Sequence, residues 1–131
     1  MPNAEHLREL PLFEDLTAEE LATVAPWFEA RRVQADERLC GEGAPGYMFF
    51  VLRSGAASVT GAGKQLAELR AGDFFGELAL AGGGRRTATV TATEPSELLV
   101  LYGTEYRRLE QEFPAAAARL RAAVDERLAR T

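Results

Sequence analysis

The segment FFGELALAGGGRRTATV, residues 74–90, holds Glu77 and Arg86 nine residues apart among apolar residues and glycines. Its two phenylalanines are expected to anchor it in a core, and Gly76 permits a tight turn or a close approach to a ligand because it lacks a Cβ. A guanidinium fork matches two phosphate oxygens. An ionised carboxylate only accepts hydrogen bonds, so it suits hydroxyl groups such as those of a ribose. The segment therefore predicts a pocket for a phosphorylated sugar.

The residues that follow Glu77 strengthen this prediction. Residues 78–81 favour a short helical turn, whose first amides lack internal partners and lie at the positive end of the helix dipole. Three glycines, at residues 82–84, then end the turn shortly before Arg86. The alternative is a strand, a glycine turn and a second strand in which the two charges form a surface ion pair of little energetic value.

The order and spacing of these residues resemble a known family. FGELAL followed by RRTATV is similar to the phosphate-binding cassette of cyclic nucleotide-binding domains, as in cAMP-dependent protein kinase regulatory subunits and cyclic nucleotide-gated channels. The resemblance implies that Glu77 binds the ribose 2′-hydroxyl and that Arg86 binds the cyclic phosphate. The further implied contacts are made by the backbone: the amides of Leu78, Ala79 and Thr87, and the carbonyl of Gly76.

The sequence specifies the contacts to the base less well than those to the phosphate and the ribose. The channel resemblance implies purine contacts at Val59 and Ala67, which can equally be ordinary core residues. Thr87 can reach a purine 2-amino group, as in family members that accept cGMP, although channels with the same RRTA run often prefer cAMP. Counted from Pro114, Arg127 falls where these channels keep a lid arginine over the base. An arginine near a helix C-terminus is also favourable simply because of the dipole.

Composition indicates one soluble globular domain. The chain has 131 residues, of which 47% are hydrophobic, and a formal net charge of -5. No apolar run approaches the roughly 18–20 residues of a spanning helix, and the N-terminus lacks a signal-peptide core. We therefore expect a cytoplasmic protein with no membrane insertion. The acidic balance predicts no nucleic-acid partner, and the lone Cys40 excludes an internal disulfide.

Hydrophobic patterning predicts short strands flanked by helices. Thr17 and Glu20 form a capping box that opens a helix over residues 18–25, which Pro26 closes. Thr104 is predicted to cap a helix over residues 105–112, and Pro114 to open another that runs to residue 129. Strands are predicted over residues 27–33, 38–40, 47–53, 57–60, 65–69, 87–93 and 97–102.

These elements predict a mainly β fold with flanking helices, of the sandwich or jelly-roll type. With the family resemblance, the expectation is an eight-stranded jelly-roll β-barrel with N-terminal helices, a short phosphate-binding helix and two C-terminal helices. Glycines 41, 43 and 46 are expected to bracket a bend, and Gly55 to separate two strands. The expected division is N-terminal helices over 1–26, a β-roll over 27–103 with its cassette at 75–89, and C-terminal helices over 104–131.

The C-terminal helix is the expected output of such a domain. Leu120, Val124 and Leu128 repeat at every fourth residue and form an apolar stripe. Our hypothesis is that the nucleotide binds more tightly to a state in which this helix is docked over the cassette. The partner would be an effector protein or a fused effector domain, neither of which the sequence identifies. Because the chain stops at Thr131, without room for a helix-turn-helix, we expect no direct transcriptional control.

The residue content argues against two classes of catalytic function. A catalytic jelly roll of the cupin type needs two or three histidines and a carboxylate for its metal, whereas this chain has only His6. A phosphodiesterase needs metal ligands or a positioned acid and base, which the cassette lacks apart from Glu77. We therefore predict neither an enzyme nor a metal site. The stronger rival is a ligand-free protein-interaction module with a degenerate pocket.

Overall fold

The computed structural model describes residues 4–40, 48–61, 63–76 and 89–129. Its helices are α1 (Ala4–Arg8), α2 (Ala18–Val24), α3 (Gly103–Glu112) and α4 (Pro114–Ala129), with 3-10 helices at Pro11–Phe13 and Ala25–Trp27. Its strands are β1 (Glu29–Val33), β2 (Arg38–Cys40), β3 (Met48–Ser54), β4 (Ala56–Gly61), β5 (Lys64–Arg70), β6 (Phe74–Gly76), β7 (Thr89–Ala92) and β8 (Ser96–Tyr102).

The eight strands form two four-stranded antiparallel sheets. One sheet has the order β1-β8-β3-β6 and the other the order β2-β7-β4-β5. Helices lie before the first strand and after the last. This arrangement confirms the predicted mainly β jelly roll with N-terminal and C-terminal helices. The short phosphate-binding helix predicted at residues 78–81 lies outside the described residues.

Strands β3 and β8 are buried on both faces because their apolar runs are nearly continuous. Side chains of both strands alternate between two hydrophobic clusters, which we call the outer core and the inner core. The outer core joins one face of the sheet to the helices and contains Phe49, Val51, Leu99 and Leu101. The inner core lies between the two sheets and contains Phe50, Leu52, Leu98 and Val100.

The start of the fold follows the capping prediction. The Glu20 amide donates to Thr17 Oγ1 at 3.1 Å, and the Thr17 amide donates to Glu20 Oε1 at 2.8 Å. This reciprocal pair confirms the capping box. Helix α2 ends at Val24, before Pro26. The strand predicted from Trp27 begins only at Glu29, because Trp27 closes the intervening 3-10 helix.

The sequence patterns missed one strand and assigned one helix cap wrongly. Strand β6 was missed because its adjacent phenylalanines show no alternation and Gly76 indicated a turn, although the strand pairs with β3. Thr104 is not a helix cap: α3 begins at Gly103 with Tyr102 in the N-cap position and no side-chain cap bond. The chain passes directly from β8 into α3, which places Thr104 inside the helix. The predicted helix from Pro114 to residue 129 is confirmed.

Gly55 forms the turn that carries the chain from one sheet to the other. Its φ of 95° lies in the left-handed region that glycine adopts readily. A Cβ at this position would lie 2.1 Å from Ser96 Oγ. The Ser96 hydroxyl accepts from the Ala56 amide at 3.2 Å and donates to the Glu94 carbonyl at 2.8 Å. The predicted break at Gly55 is confirmed, whereas the bend at glycines 41, 43 and 46 lies outside the described residues.

Candidate functional site

The predicted cassette connects the two sheets. Gly76 ends β6 in one sheet and Thr89 begins β7 in the other, so residues 77–88 join them. Gly76 pairs with Phe49 at the end of β6. The other predicted cassette ligands lie outside the described residues: Glu77, Leu78, Ala79, Arg86 and Thr87.

The strand that leads into the cassette is fixed by two aromatic pairs. Phe75 stacks on Phe50, with ring centroids 4.7 Å apart and an interplanar angle of 13°. Phe74 packs on Phe49 at 5.6 Å and 42°. Phe74 packs against the outer core and Phe75 against the inner core. The expected anchoring of this segment is therefore present, and it involves both faces of the sheet.

The strand that leaves the cassette runs beside the β4–β5 hairpin. Val90 pairs with Val59 of β4, and Val59 pairs in turn with Ala67 of β5. Val59 is half-buried and packs against the inner core, whereas Ala67 is exposed. The structure thus brings these two predicted base contacts together as a cross-strand pair. The two residues differ in their surroundings, because Val59 packs against the inner core whereas Ala67 faces solvent.

The first part of α4 is held firmly against the N-terminal helices. Leu120 and Val124, two residues of the predicted stripe, are buried in the outer core. Arg119 donates to the Asp15 carbonyl at 2.7 Å and lies 3.8 Å from the Glu20 carboxylate. Glu20 also completes the capping box of α2. The side chains of Arg127 and Leu128, farther along α4, lie outside the described residues.

A buried tyrosine joins α3 to α4. Tyr106 is only 2% exposed, and its hydroxyl donates to the Ala117 carbonyl at 3.5 Å. Burial raises the pKa of Tyr106 above its usual value, and the Glu110 carboxylate raises it further, while Arg121 partly offsets both effects. Sequence reasoning did not identify Tyr106 or Arg119. The three-residue spacing of Tyr106 and Leu109 on one helix face was the available signal for the tyrosine.

The described residues contain no cluster of three or more histidine, cysteine, aspartate or glutamate side chains suited to a metal ion. Within the same ranges, no helix combines the length and apolar character needed to cross a membrane. The described part of the candidate site consists of the two strand ends on either side of residues 77–88 and the neighbouring β4–β5 hairpin, whose β5 strand is mostly exposed.

Comparison with known proteins agrees with this architecture. Residues 30–113 match the family model of the cyclic nucleotide-binding domain. The chain is 33% identical over 103 residues to a cAMP-dependent protein kinase regulatory subunit of Hypocrea atroviridis. It is 34% identical over 118 residues to a cyclic nucleotide-gated potassium channel of Rhizobium etli. These alignments cover 79% and 90% of this chain, and 22% and 33% of the two relatives.

A solved structure extends the comparison. The N-terminal domain of a transcriptional regulator from Streptomyces coelicolor is similar with a TM-score of 0.77 and 30% identity. That similarity covers 95% of this chain and 93% of the other. The chain thus spans a minor part of the two curated relatives and nearly all of this single domain. With a family model that matches most of its length, the chain belongs to the cyclic nucleotide-binding domain family.

Proposed function

We propose that this protein is a regulatory domain that binds cAMP through the cassette at residues 75–89 and reports the binding through α4. It acts as a sensor and not as an enzyme. The family match and the ligand named for the kinase regulatory subunit support this proposal. The effector, whether a separate protein or a domain fused to this one, receives the signal from the end of α4.

The observation that carries the proposal is the strand register around residues 77–88. One end of this segment is anchored by Phe75 in the inner core, and the other leads into the strand that pairs with Val59. A cyclic nucleotide has a phosphate, a ribose and an apolar base face. Arg86 and Glu77 supply the complementary groups for the first two, and the adjacent Val59–Ala67 pair supplies an apolar surface for the third.

Both purine nucleotides fit this arrangement, with cAMP as the principal ligand. In this proposal the Thr87 hydroxyl accepts a hydrogen bond from the 2-amino group of guanine, which adenine lacks. Replacing Thr87 with alanine is therefore expected to weaken cGMP binding and to leave cAMP binding nearly unchanged. Parallel calorimetric titrations with the two nucleotides measure that difference.

The coupling step involves the end of α4. The helix is fixed to the N-terminal helices as far as Val124 through the outer core and the Arg119 contact. We therefore assign the nucleotide-dependent change to the turns beyond Val124, where Arg127 folds over the base. A coupling free energy of about 1–3 kcal/mol is ordinary for such a switch.

Calorimetry with paired arginine variants tests the ligand site. Arg86→Ala is expected to lose most of its cAMP affinity, because each hydrogen bond to a charged group is worth about 1.5–3 kcal/mol. The neighbouring change Arg85→Ala is the matched control and should retain the affinity. Equal affinity in both variants would refute the assignment of Arg86. Absence of binding heat from either nucleotide in the unmodified protein would leave only the protein-interaction module.

The lid assignment has its own test. Arg127→Ala is expected to speed nucleotide release without slowing association, because the lid closes after the ligand has bound. Stopped-flow displacement of a fluorescent cAMP analogue measures both rates. Arg130→Ala, three residues farther along, is the control for a general loss of positive charge. An unchanged release rate in Arg127→Ala would make this arginine an ordinary surface residue.

A further inference from the structure

A concave surface lies where the 3-10 helix Ala25–Trp27 leads into β1 and β8 leads into α3. It is a cavity of about 420 Å³, and we call it the aromatic groove. Its lining includes Pro26, Trp27, Glu29, Ala30, Tyr102 and Glu105. Trp27 and Tyr102 are both half-buried, and Pro26 and Ala30 are exposed. The groove therefore combines apolar surface that water can reach with carboxylates at its rim.

The charge of this groove is negative. Glu29 accepts a hydrogen bond from the Tyr102 hydroxyl at 3.4 Å, and within the described ranges it has no cationic partner. Glu105 pairs with Arg108 at 3.6 Å, but Arg108 also pairs with Glu112 at 3.9 Å. Glu105 and Glu112 thus share one guanidinium group, and Glu29 adds a carboxylate to the groove lining without a cationic partner among the described residues, which favours further positive charge.

The contacts of Arg108 show which chemistry the groove accepts. Its guanidinium carbon lies 5.5 Å from the centre of the Trp27 ring, within the range of a cation–π contact. The Arg108 side chain is 61% exposed, and exposed ion pairs of this kind are weak and easily rearranged. A second cation can therefore approach the ring and the two glutamates without breaking a buried interaction.

The position of β1 adds a backbone surface to the groove. Among the described strands β1 pairs with β8 alone, so it is an edge of its sheet. Alternate residues of an edge strand direct their backbone groups outward, which allows an extended segment to pair alongside. Arg31 and Arg32 lie farther along β1. Positive charge on such a segment is therefore favoured at the groove end and disfavoured along the rest of the strand.

We propose that the aromatic groove is a docking site for an extended segment of a partner protein that carries a lysine or arginine beside an aliphatic side chain. The aliphatic side chain covers Trp27 and Tyr102, and the cation lies between Glu29 and Glu105. The groove lining shares no residue with the predicted nucleotide ligands, so the proposal does not depend on nucleotide binding. It assigns the protein a second recognition surface for a basic and apolar peptide.

The single tryptophan of the chain provides a direct test, because Trp27 lies in the groove. The probe is an acetylated, amidated pentapeptide in which leucine and arginine alternate. Its addition is expected to produce a saturable shift of the Trp27 emission to shorter wavelength, as the covered ring loses water. A peptide in which leucine and glutamate alternate should bind at least fivefold more weakly. Absence of a saturable shift, or equal binding of both peptides, would overturn the proposal.

Variants locate the binding surface. Glu29→Gln and Glu105→Gln are each expected to weaken the arginine peptide about twofold to fivefold, the range typical of exposed charge pairs. Glu68→Gln, on the exposed strand β5, removes the same charge away from the groove and is the matched control. An unchanged affinity in the double variant of Glu29 and Glu105, or an equal loss in Glu68→Gln, would contradict the assignment.

Discussion

The two hydrophobic cores of this protein share a sheet but are built differently. The outer core takes residues from the N-terminal helices, from α3 and α4 and from one face of β3 and β8. The inner core takes its described residues from strands alone and lies between the sheets, next to both ends of the cassette. The outer core thus fixes the helices, whereas the inner core supports the proposed ligand pocket. Variants of neighbouring residues can separate these two roles.

The largest effect is expected from two adjacent phenylalanines that face opposite cores. Phe49 and Phe50 are both almost fully buried, and a Phe→Ala change in a core typically costs about 3–5 kcal/mol. Phe49→Ala and Phe50→Ala should each lower the free energy of unfolding by this amount, as measured by urea denaturation. A much smaller loss for Phe50→Ala would show that the inner core is loosely packed.

Milder changes at the same positions test whether the inner core supports cAMP binding more than the outer core does. Phe50→Leu should weaken cAMP binding, because Phe50 stacks on Phe75 beside the start of the cassette. Phe49→Leu is the comparison variant and should weaken cAMP binding less, because its partner Phe74 packs against the outer core. Equal loss of affinity in both variants would mean that the two cores do not divide stability and binding as described.

The next effect concerns two glycine turns. Gly55→Ala is expected to cost about 2–5 kcal/mol, because it adds backbone strain to a severe overlap with Ser96. Gly63→Ala should cost only about 1–2 kcal/mol, since its φ of 76° is strained for alanine but no described residue beyond its chain neighbours lies within 4 Å of the added Cβ. Thermal unfolding of the two variants measures the difference. Similar losses would mean that steric overlap at Gly55 is relieved by a local shift.

A smaller effect is expected from the two threonines that sequence patterns proposed as caps. Thr17→Ala should lower stability by about 1 kcal/mol, because it removes a reciprocal capping pair. Thr104→Ala should change stability by about 0.5 kcal/mol or less, because Thr104 is an exposed residue within α3. Urea denaturation of both variants checks the contrast. A larger loss at Thr104 would restore its role as a cap.

The smallest effect is the alkaline dependence contributed by Tyr106. Burial is the main reason that the pKa of Tyr106 is raised in the folded protein. A tyrosine in the unfolded chain ionises at about pH 10. The Tyr106 contribution to stability is therefore complete below about pH 10 and is lost as the pH rises through the folded pKa. Tyr106→Phe should reduce the fall in the free energy of unfolding between about pH 9 and pH 11. Tyr102→Phe is the control, and an identical fall in both would exclude Tyr106 as the source.

Sequence patterns predicted the elements whose causes are local. The capping box was found because its two hydrogen bonds join residues three apart. Strands β3 and β8 were found from their apolar runs, and the continuity of those runs also indicates burial on both faces. Strand β6 was missed because its two adjacent phenylalanines show no alternation and its glycine indicated a turn. Thr104 was assigned as a cap because the sequence does not show that β8 passes directly into α3.

Long-range contacts could not be predicted in this way. Arg119 meets the Asp15 carbonyl across 104 positions, and no local pattern marks either residue. At the candidate site, the two strands that carry Val59 and Ala67 were predicted from strand patterning, and the structure shows that they pair. The roles of Glu77 and Arg86 rest on the family motif and remain predictions, because their spacing alone is equally compatible with a surface ion pair.

The composition of the outer core also determines when the fold can be completed during synthesis. Leu7 and Phe13 belong to the same core as Leu120 and Val124, which are translated more than about 100 residues later. The apolar face of the N-terminal helices therefore stays partly uncovered while the strands form, which is a state prone to aggregation. Chaperone binding to nascent chains should consequently persist until α4 has left the exit tunnel.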